Sequence, residues 1–353
     1  MPINTIIKAG QCAPSADNSQ PWCFRVKDNE ISVGYATERL AGGTFGPNES
    51  ATLIAVGCVL ENMLQAAASL SVPVSYSLGG EAAGHNGSSY FTLFLGGGAG
   101  QSDLCFDFGE YALFDRHTNR FPFRAEAIPA ETVSEVGKLR EGTASIKTLD
   151  SLDEIKAIAA IAKQASEVRF QTQEVHEWLA RSLRFTQQEA ARGDGLDLAT
   201  LALPPGGGVF MRYIMDWKWM SRLNCVGAYK LMAAMDVKLL EQAPTVLAIV
   251  GGSTAAEVIE SGRLMMRTWI ALNSRGIAVQ PYYVVSDQLQ RRLDGKVPSH
   301  LLGQIDGVAK QTAQLLDFSE HQRLYMLLRI GFPTKNPVRS KRLPIEVVCQ
   351  RTD

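Results

Sequence analysis

An internal repeat constrains the fold of this 353-residue chain more than any other feature of its sequence. Residues 57–74 align without a gap with residues 262–279, and in both segments a helical pattern changes to a β-rich run after one short turn. The alignment pairs Gly57 with Gly262, Leu60 with Met265, Leu64 with Trp269, Ala66 with Ala271 and Val74 with Val279.

A second pair of similar segments follows in the same order, since residues 90–96 (YFTLFLG) resemble residues 325–331 (YMLLRIG). Two matches in one order favour duplication over chance. The two halves of a duplicated chain can pack as two subunits would. We therefore expect an intrachain pseudo-dimer that could exist as a monomer.

The expected class is α+β, with two tandem halves that each carry a mixed or antiparallel sheet flanked by helices. Alternation at 22–26 and 31–35 predicts a hairpin, and a cap at 48–50 predicts a helix to about residue 70. Residues 128–192 look largely helical, Ser253 is a candidate cap for a helix to 274, and 245–250, 277–285 and 324–330 read as strands. We place the first half at 1–108 and the second at 109–353, with a candidate lid at 204–220.

Composition argues against several kinds of partner. The net charge of −1 does not suggest a nucleic acid or a membrane surface, both of which favour a basic excess. No apolar run looks long enough to span a bilayer, and the N-terminus lacks a signal-peptide pattern, so we expect a cytoplasmic protein. The scattered cysteines and five histidines show no metal-ligand spacing, so no metal site is expected.

Three segments carry most of the chemical information. Residues 13–22 read APSADNSQPW, and residues 115–123 read DRHTNRFPF, followed by Ile128 and Pro129. Near the end of the chain, RIGFP at 329–333 is followed by PVRSKRLPIEVV at 337–348.

These segments resemble three motifs of the nitroreductase family: APSxxNxQPW, R-[RH]-[ST]-x-[RK]-x-F and the closing IGYP with R-x-P-L-x-E-V-V. The resemblance implies that the chain binds FMN. It assigns the flavin ring edge and ribityl chain to the first loop, with Ser15 and Asn18 as contacts and Pro14 holding the loop. An Asn amide suits this role because it can both donate and accept hydrogen bonds.

The resemblance assigns the FMN phosphate to the other two segments. Arg116 and Arg120 would supply charge, Thr118 a hydroxyl donor, and His117 a backbone or ring contact. Arg342 best fits the family's closing basic residue, with Arg339 and Lys341 as alternates. Guanidinium groups suit a phosphate because they bind it through two parallel charge-assisted hydrogen bonds.

The resemblance also implies a backbone segment that passes the reactive part of the flavin. Gln280, Pro281 and Tyr282 occupy that place here, with contacts expected largely through the backbone. Strand packing is an equally good interpretation of the Tyr282 side chain. The aromatic stretch at 209–220 fits either a lid or a hydrophobic core segment.

The order of the motifs departs from the standard family pattern, because here the loop precedes the arginine segment. The second half shows no further PSxxN loop. Only one loop-and-arginine pairing can be completed, which implies one flavin between the two halves. Duplicated chains of this kind look like the Acg-type branch of the family.

The leading functional hypothesis is an oxidoreductase in which NADPH or NADH reduces FMN, which then reduces a small electron-poor acceptor such as a nitroaromatic or a quinone. Such chemistry resides in the cofactor, so we name no catalytic side chain. The alternatives are a non-enzymic protein that binds or sequesters FMN, as the Acg-type resemblance suggests, and a structural pseudo-enzyme without flavin.

Overall fold

The structure, a computed structural model, describes residues 2–40, 45–80, 84, 88–96, 112–319 and 321–351. The expected boundary between residues 108 and 109 lies outside these ranges. The strands are β1 Trp22–Lys27, β2 Glu30–Tyr35, β3 Val74–Leu78, β4 Ser89–Leu95, β5 Arg140–Glu141, β6 Ala144–Leu149, β7 Leu183–Arg184, β8 Leu196–Asp197, β9 Thr245–Gly251, β10 Ala278–Tyr282, β11 Arg323–Gly331 and β12 Cys349–Arg351.

Helices lie between these strands and cover the sheets. They are α1 Pro2–Gln11, α2 Ser50–Ser69, α3 Ala112–Asp115, α4 Ala130–Gly137, α5 Leu152–Gln171, α6 Gln173–Ser182, α7 Gln187–Ala190, α8 Gly207–Ile214, α9 Trp217–Asn224, α10 Ala228–Glu241, α11 Ala255–Ser274, α12 Val284–Leu293, α13 Leu302–Leu316 and α14 Ile345–Val348. The expected α+β class is confirmed.

Two five-stranded sheets form the framework, in the orders β12-β1-β2-β4-β3 and β10-β11-β9-β6-β5. In each sheet the edge strand that follows a long helix, β3 after α2 and β10 after α11, pairs antiparallel with the next strand in the chain. The first sheet is mixed, because β12 from the C-terminus joins β1 in parallel. The second sheet is antiparallel throughout.

The two sheets differ in how many of their residues are buried. In β1 the burial alternates from residue to residue, because one face of the strand packs on the core. Every residue of β9 is buried, since that strand separates the main core from a second core built with α5, α12 and α13. A third, small cluster lies under α8, α9 and α10.

Helices α2 and α11 cross at the two glycines that the repeat alignment pairs. A Cβ atom placed on Gly57 would overlap the carbonyl oxygen of Ile259 and lie 2.9 Å from Cα of Gly262. A Cβ atom placed on Gly262 would overlap the carbonyl oxygen of Ile54. The helix backbones therefore approach too closely for any side chain at the crossing.

A buried ionic cluster lies one turn from this crossing. Both carboxylate oxygens of Glu61 accept from Arg267, at 2.8 and 2.9 Å, and Glu61 also accepts from Arg263 at 3.2 Å. Both arginines also pair with Glu141 of β5. Burial alone would raise the pKa of Glu61, but Arg267 and Arg263 hold it below its usual value.

Helix α2 is long and apolar enough to cross a membrane by length and composition, contrary to the sequence-based expectation. However, 89% of its most apolar window is buried inside the protein. Its apolar character is accounted for by its position between the two sheets, in the centre of the main core.

Three expected elements differ in detail from the structure. Within 128–192, expected to be largely helical, the turn at Gly142 (φ 50°) joins β5 to β6. The strand expected at 277–285 ends at Tyr282, and α12 begins two residues later. Thr254, rather than Ser253, caps α11, through a reciprocal pair of bonds with Glu257.

Candidate functional site

The loop at residues 13–21 is held in a strained conformation. Asp17, Asn18 and Gln20 all have positive φ angles, of 48°, 56° and 50°, which side-chain-bearing residues rarely adopt. The Ser15 hydroxyl accepts a 2.9 Å bond from the Gln20 backbone N–H and closes the turn. A strained backbone persists where contacts with the rest of the protein hold it in place. In this loop, the side chains of Asn18 and Gln20 make those contacts.

The Asn18 side chain connects the front of the chain to its end. Its Oδ1 accepts from Nη1 of Arg342 at 2.8 Å. Its Nδ2 donates to the carbonyls of Lys341 at 3.0 Å and Gly193 at 3.1 Å. Both Nδ2 hydrogens are used within the protein, whereas Oδ1 accepts from one donor and could accept from a second, so a further contact from this amide would go to Oδ1.

Arg116 and Arg342 converge on one backbone carbonyl. Nη2 of Arg116 donates to the Cys12 oxygen at 3.1 Å, and Nη2 of Arg342 donates to the same oxygen at 3.3 Å and to Ala13 at 3.2 Å. The Nε atoms of both arginines are buried without a partner. The sequence-predicted loop and two of the arginines expected to grip phosphate, Arg116 and Arg342, therefore share one location.

Among the described residues, no carboxylate balances the charge on this arginine pair. Within the part of the chain that the structure describes, neither Arg116 nor Arg342 makes an ion pair with a carboxylate. Burial, and then the charge of Arg342, lower the pKa of Arg116 to about 9. An anion bound here would oppose the effects of burial and of Arg342 on the pKa of Arg116, because buried charges are normally paired.

Residues His117 to Asn119 lie against the outer edge of β10. Thr118 forms a parallel bridge with Val279, and the Asn119 N–H donates to the Val279 carbonyl at 2.9 Å. The His117 carbonyl accepts from the Trp269 indole at 3.1 Å. Burial lowers the pKa of His117, so its ring is neutral at neutral pH. This contact with β10 holds the segment that follows Arg116.

Arg120, the second expected phosphate ligand, has a different environment. It donates to the Thr200 carbonyl at 3.2 Å, and Asp17 lies near enough to oppose the effect of burial on its pKa. Burial raises the pKa of Asp17, opposed by a bond to Ser182 and by Arg120. Arg120 therefore has a carboxylate neighbour, whereas no carboxylate of the described residues pairs with Arg116.

Three further predicted residues lie in different surroundings. The Arg339 side chain is 50% exposed and reaches Asp115 at 3.5 Å, which places it at the rim. The Tyr282 ring packs in the second core, and its hydroxyl donates to the Asp236 carbonyl at 3.2 Å, as the strand-packing interpretation predicted. Oε1 of Gln280 is buried without a partner.

Two buried polar residues were not singled out from the sequence, one in this loop and one on β11. Gln20 is fully buried: its amide donates to Gly193 at 2.9 Å and accepts from the Leu343 N–H at 3.1 Å. It stands inside the quoted loop motif, so the motif itself was the available signal. Arg329 is also buried and donates to the Phe121 carbonyl at 2.7 Å.

The segment that covers the loop lies earlier in the chain than the expected lid at 204–220. Gly193, with φ 83°, accepts from both Asn18 and Gln20, and Thr200 accepts from Arg120. Within the stretch expected to be either a lid or a core segment, residues 207–224 form α8 and α9, which pack on the third core cluster.

A separate cavity of 220 Å³ lies beside the start of α12. Phe45, Trp178 and Tyr283 contribute its aromatic lining, and Asp287 is buried in its wall. None of the sequence-predicted site residues lines it.

Comparison with known proteins adds distant similarities. No protein-family model matches the chain. It is 25% identical over 285 residues to "Uncharacterized protein MT1398" of Mycobacterium tuberculosis (strain CDC 1551 / Oshkosh). That match covers 78% of this chain but 38% of the relative, so the chain spans about two fifths of the relative's length.

Solved structures that resemble this fold include FMN-dependent nitroreductases. NfnB from Mycobacterium smegmatis, in complex with NADPH, is 16% identical and has a TM-score of 0.40; the match covers 70% of this chain and 99% of that one. A Clostridium difficile R20291 FMN-dependent nitroreductase is 14% identical (66% and 94% covered, TM-score 0.34), and B. megaterium NfrA2 is 12% identical (68% and 72%, TM-score 0.37). Because these similarities are distant, the ligand of this chain has to be inferred from its own residues.

Proposed function

We propose that the chain binds one FMN, with the phosphate between Arg116 and Arg342, and serves as an NAD(P)H-dependent oxidoreductase. The observation that carries this proposal is the pair of buried guanidinium groups that meet at the Cys12 carbonyl without a carboxylate partner among the described residues. Their two buried, unbonded Nε atoms fit an incoming phosphate, whose oxygens accept such bonds.

The rest of the protein would hold and orient the cofactor. The edge of β10 and the unpartnered amide oxygen of Gln280 lie along the segment expected to face the flavin. When bound, FMN would supply hydride transfer between NADPH or NADH and an electron-poor acceptor of the nitroaromatic or quinone type.

A second candidate function is FMN storage without turnover. The specific observation in its favour is that Gly193 accepts from both Asn18 and Gln20, so the covering segment is bonded directly to the loop. A cover held by two buried amide bonds would restrict access by a nicotinamide.

The tandem arrangement, with halves at 1–108 and 109–353 and membership in an Acg-like branch, is also a proposal. Two observations support it. The repeat-paired residues Gly57 and Gly262 meet at the crossing of α2 and α11, and the helix-strand-strand order of each repeat recurs at one edge of each sheet.

The proposed phosphate site can be tested by comparing FMN with riboflavin, which lacks the phosphate. The wild-type protein should bind FMN about 10- to 100-fold more tightly than riboflavin, since each charge-assisted bond contributes about 1.5–3 kcal/mol. Arg116→Ala should remove most of this preference and leave riboflavin affinity nearly unchanged. The exposed Arg140→Ala is the matched control.

Fluorescence titration of the flavin measures both affinities. Equal binding of the two flavins by the wild type, or no uptake of either, would contradict the proposal. Anaerobic mixing of the FMN-loaded protein with NADPH or NADH then separates the two functions: rapid loss of flavin absorbance indicates the reductase, and no loss over minutes indicates storage.

A further inference from the structure

The surface of α8 and α9 exposes a concentration of large hydrophobic side chains. Of those exposed in the described part of the chain, half lie within 27 consecutive residues: Val209, Phe210, Tyr213, Trp219, Val226, Leu231 and Met235. Val209 is 78% exposed and Phe210 is 52% exposed. Clustered apolar exposure of this kind marks an interaction surface rather than ordinary surface.

These side chains are not displaced members of the core. The inner faces of the same helices are already packed in the third cluster, where Ile214 and Met220 are completely buried. On the outer side, the rings of Tyr213 and Trp219 lie 4.9 Å apart and join the two helices into one surface. We call Val209, Phe210, Tyr213 and Trp219, with the cations Arg212, Lys218 and Arg222, the α8–α9 patch.

The charge of this segment differs from that of the whole chain. Residues 207–235 contain four basic residues and one acidic residue, a net charge of +3 in a chain of net charge −1. The acidic residue, Asp216, caps α9 by accepting from the Lys218 N–H at 2.9 Å. The guanidinium carbon of Arg222 lies 5.2 Å from the centre of the Trp219 ring. Cations are therefore interspersed among exposed aromatic side chains.

We propose that the α8–α9 patch docks the protein on an anionic membrane surface. Aromatic side chains are well suited to the boundary between headgroups and acyl chains, and neighbouring Lys and Arg residues reach lipid phosphates. A second copy of the chain fits less well, because a symmetric contact would bring two copies of this positively charged patch face to face. No membrane partner was expected from the chain's net charge of −1. That total does not show the local excess of basic residues in the patch.

Vesicle sedimentation tests the proposal with the 353-residue chain. The bound fraction should be high on vesicles of phosphatidylcholine with phosphatidylglycerol, low on phosphatidylcholine alone, and lower again in high salt. Tryptophan emission should shift to shorter wavelength on binding, and Trp219→Phe should remove most of that shift. Lys218→Glu should weaken binding by at least about fivefold, as expected for one surface cation.

Control substitutions for the patch variants lie at the start of α5, outside the patch. Val209→Ser combined with Phe210→Ser should abolish sedimentation, whereas the similarly exposed Leu152→Ser and Lys156→Glu should bind as the wild type does. Unchanged circular dichroism in all variants shows that the fold is retained. Equal binding to neutral vesicles, or no binding to any vesicle, overturns the proposal. A concentration-dependent dimer that the double variant abolishes, without vesicle binding, overturns it in favour of a second copy.

Discussion

Nη1 of Arg342 donates a 2.8 Å hydrogen bond to Oδ1 of Asn18 across 324 positions of sequence. This bond joins the strained loop at the front of the chain to the basic segment near its end. Arg116, from the middle of the chain, reaches the same loop at the Cys12 carbonyl. The candidate site therefore forms only when three distant segments have folded together, and loop conformation and cation placement should depend on each other.

Substitution of Asn18 should separate backbone strain from hydrogen bonding. Asn18→Gly tolerates the φ of 56° but loses the buried amide bonds, and we expect it to destabilise the protein by about 2–4 kcal/mol. Asn18→Ala should cost about 1 kcal/mol more, because a Cβ disfavours this region. Urea unfolding measures both variants.

Asp28 provides the control, since it has a similar φ of 49° but lies exposed in the β1–β2 turn. The difference in stability between Asp28→Gly and Asp28→Ala should be similar to that between the two Asn18 variants. Neither Asp28 variant should show the larger loss of stability that both Asn18 variants share. If Asn18→Gly unfolded at the wild-type urea concentration, the amide bonds would not stabilise the loop.

Elements with local signals could be predicted from the sequence. The β1–β2 hairpin follows from alternation on both sides of Asp28 and Asn29, and α2 from its apolar run, although the expected cap at 48–50 makes no side-chain bond to the helix. The β5–β6 hairpin was missed because β5 has only two residues, so no pair of alternating segments flanks Gly142. Helix α12 was missed because Val284 and Val285 favour strands, and their burial in the second core overrides that preference.

The site could be predicted only in part. The resemblance of three sequence segments to known motifs singled out Asn18, Arg116 and Arg342, and the structure brings these three together. No local pattern shows that Gly193 accepts from Asn18, a contact across 175 positions. The motif also gives no reason to distinguish Arg120 from Arg116, because the difference depends on the burial of Asp17 beside Arg120.

Glu61→Gln should strongly destabilise the protein. It removes the charge that Arg263 and Arg267 share inside the α2–α11 crossing and leaves them with Glu141. Loss of one partner from a buried ionic cluster typically costs about 3–5 kcal/mol. Chemical denaturation at pH 7 measures this loss, with the exposed Glu131→Gln as control.

The pH dependence of this effect has a definite sign. Because the folded-state pKa of Glu61 is lowered, its ionised form contributes stability above the ordinary value of 4.5, and that contribution is lost as the pH falls through the folded pKa. The gap between wild type and Glu61→Gln should therefore narrow in strong acid. A gap that widened on acidification would contradict the assignment.

Asp287→Asn should stabilise the protein at alkaline pH. Burial in the cavity wall raises the pKa of Asp287 to about 6, although Arg291, Arg169 and the Gln288 amide favour its ionised form. A raised carboxyl pKa means that the fold prefers the neutral acid, so stability is lost as the pH rises from about 4 to above 6. The difference from the ordinary value of 3.8 corresponds to about 3 kcal/mol at most.

Thermal or urea unfolding of Asp287→Asn at pH 3.5 and pH 8 measures this difference. The variant should match the wild type at pH 3.5 and exceed it at pH 8, whereas Asp153→Asn, an exposed substitution in α5, should show no such dependence. A variant less stable than the wild type at pH 8 would show that the ion-pair partners outweigh burial.

Gly57→Ala should disrupt the packing of α2 against α11. In an open helix position this substitution stabilises a protein by about 0.4–1 kcal/mol, because alanine restricts the unfolded chain. At Gly57 the added methyl would overlap the Ile259 carbonyl oxygen, which belongs to the opposing backbone and cannot rotate away. The helices would have to separate, and such overpacking costs about 1–3 kcal/mol or more.

Gly303→Ala supplies the control of opposite sign. Gly303 lies in helix α13, and nothing within 4 Å would meet a Cβ there, so its replacement should raise the melting temperature while Gly57→Ala lowers it. Gly262→Ala should behave like Gly57→Ala, because its methyl would meet the Ile54 carbonyl oxygen. The double variant should cost less than the two single costs added together, since helices already separated by one methyl accommodate the second more easily. Additive costs would mean that the two glycines do not share one contact, and the tandem arrangement proposed from their alignment would lose its main structural support.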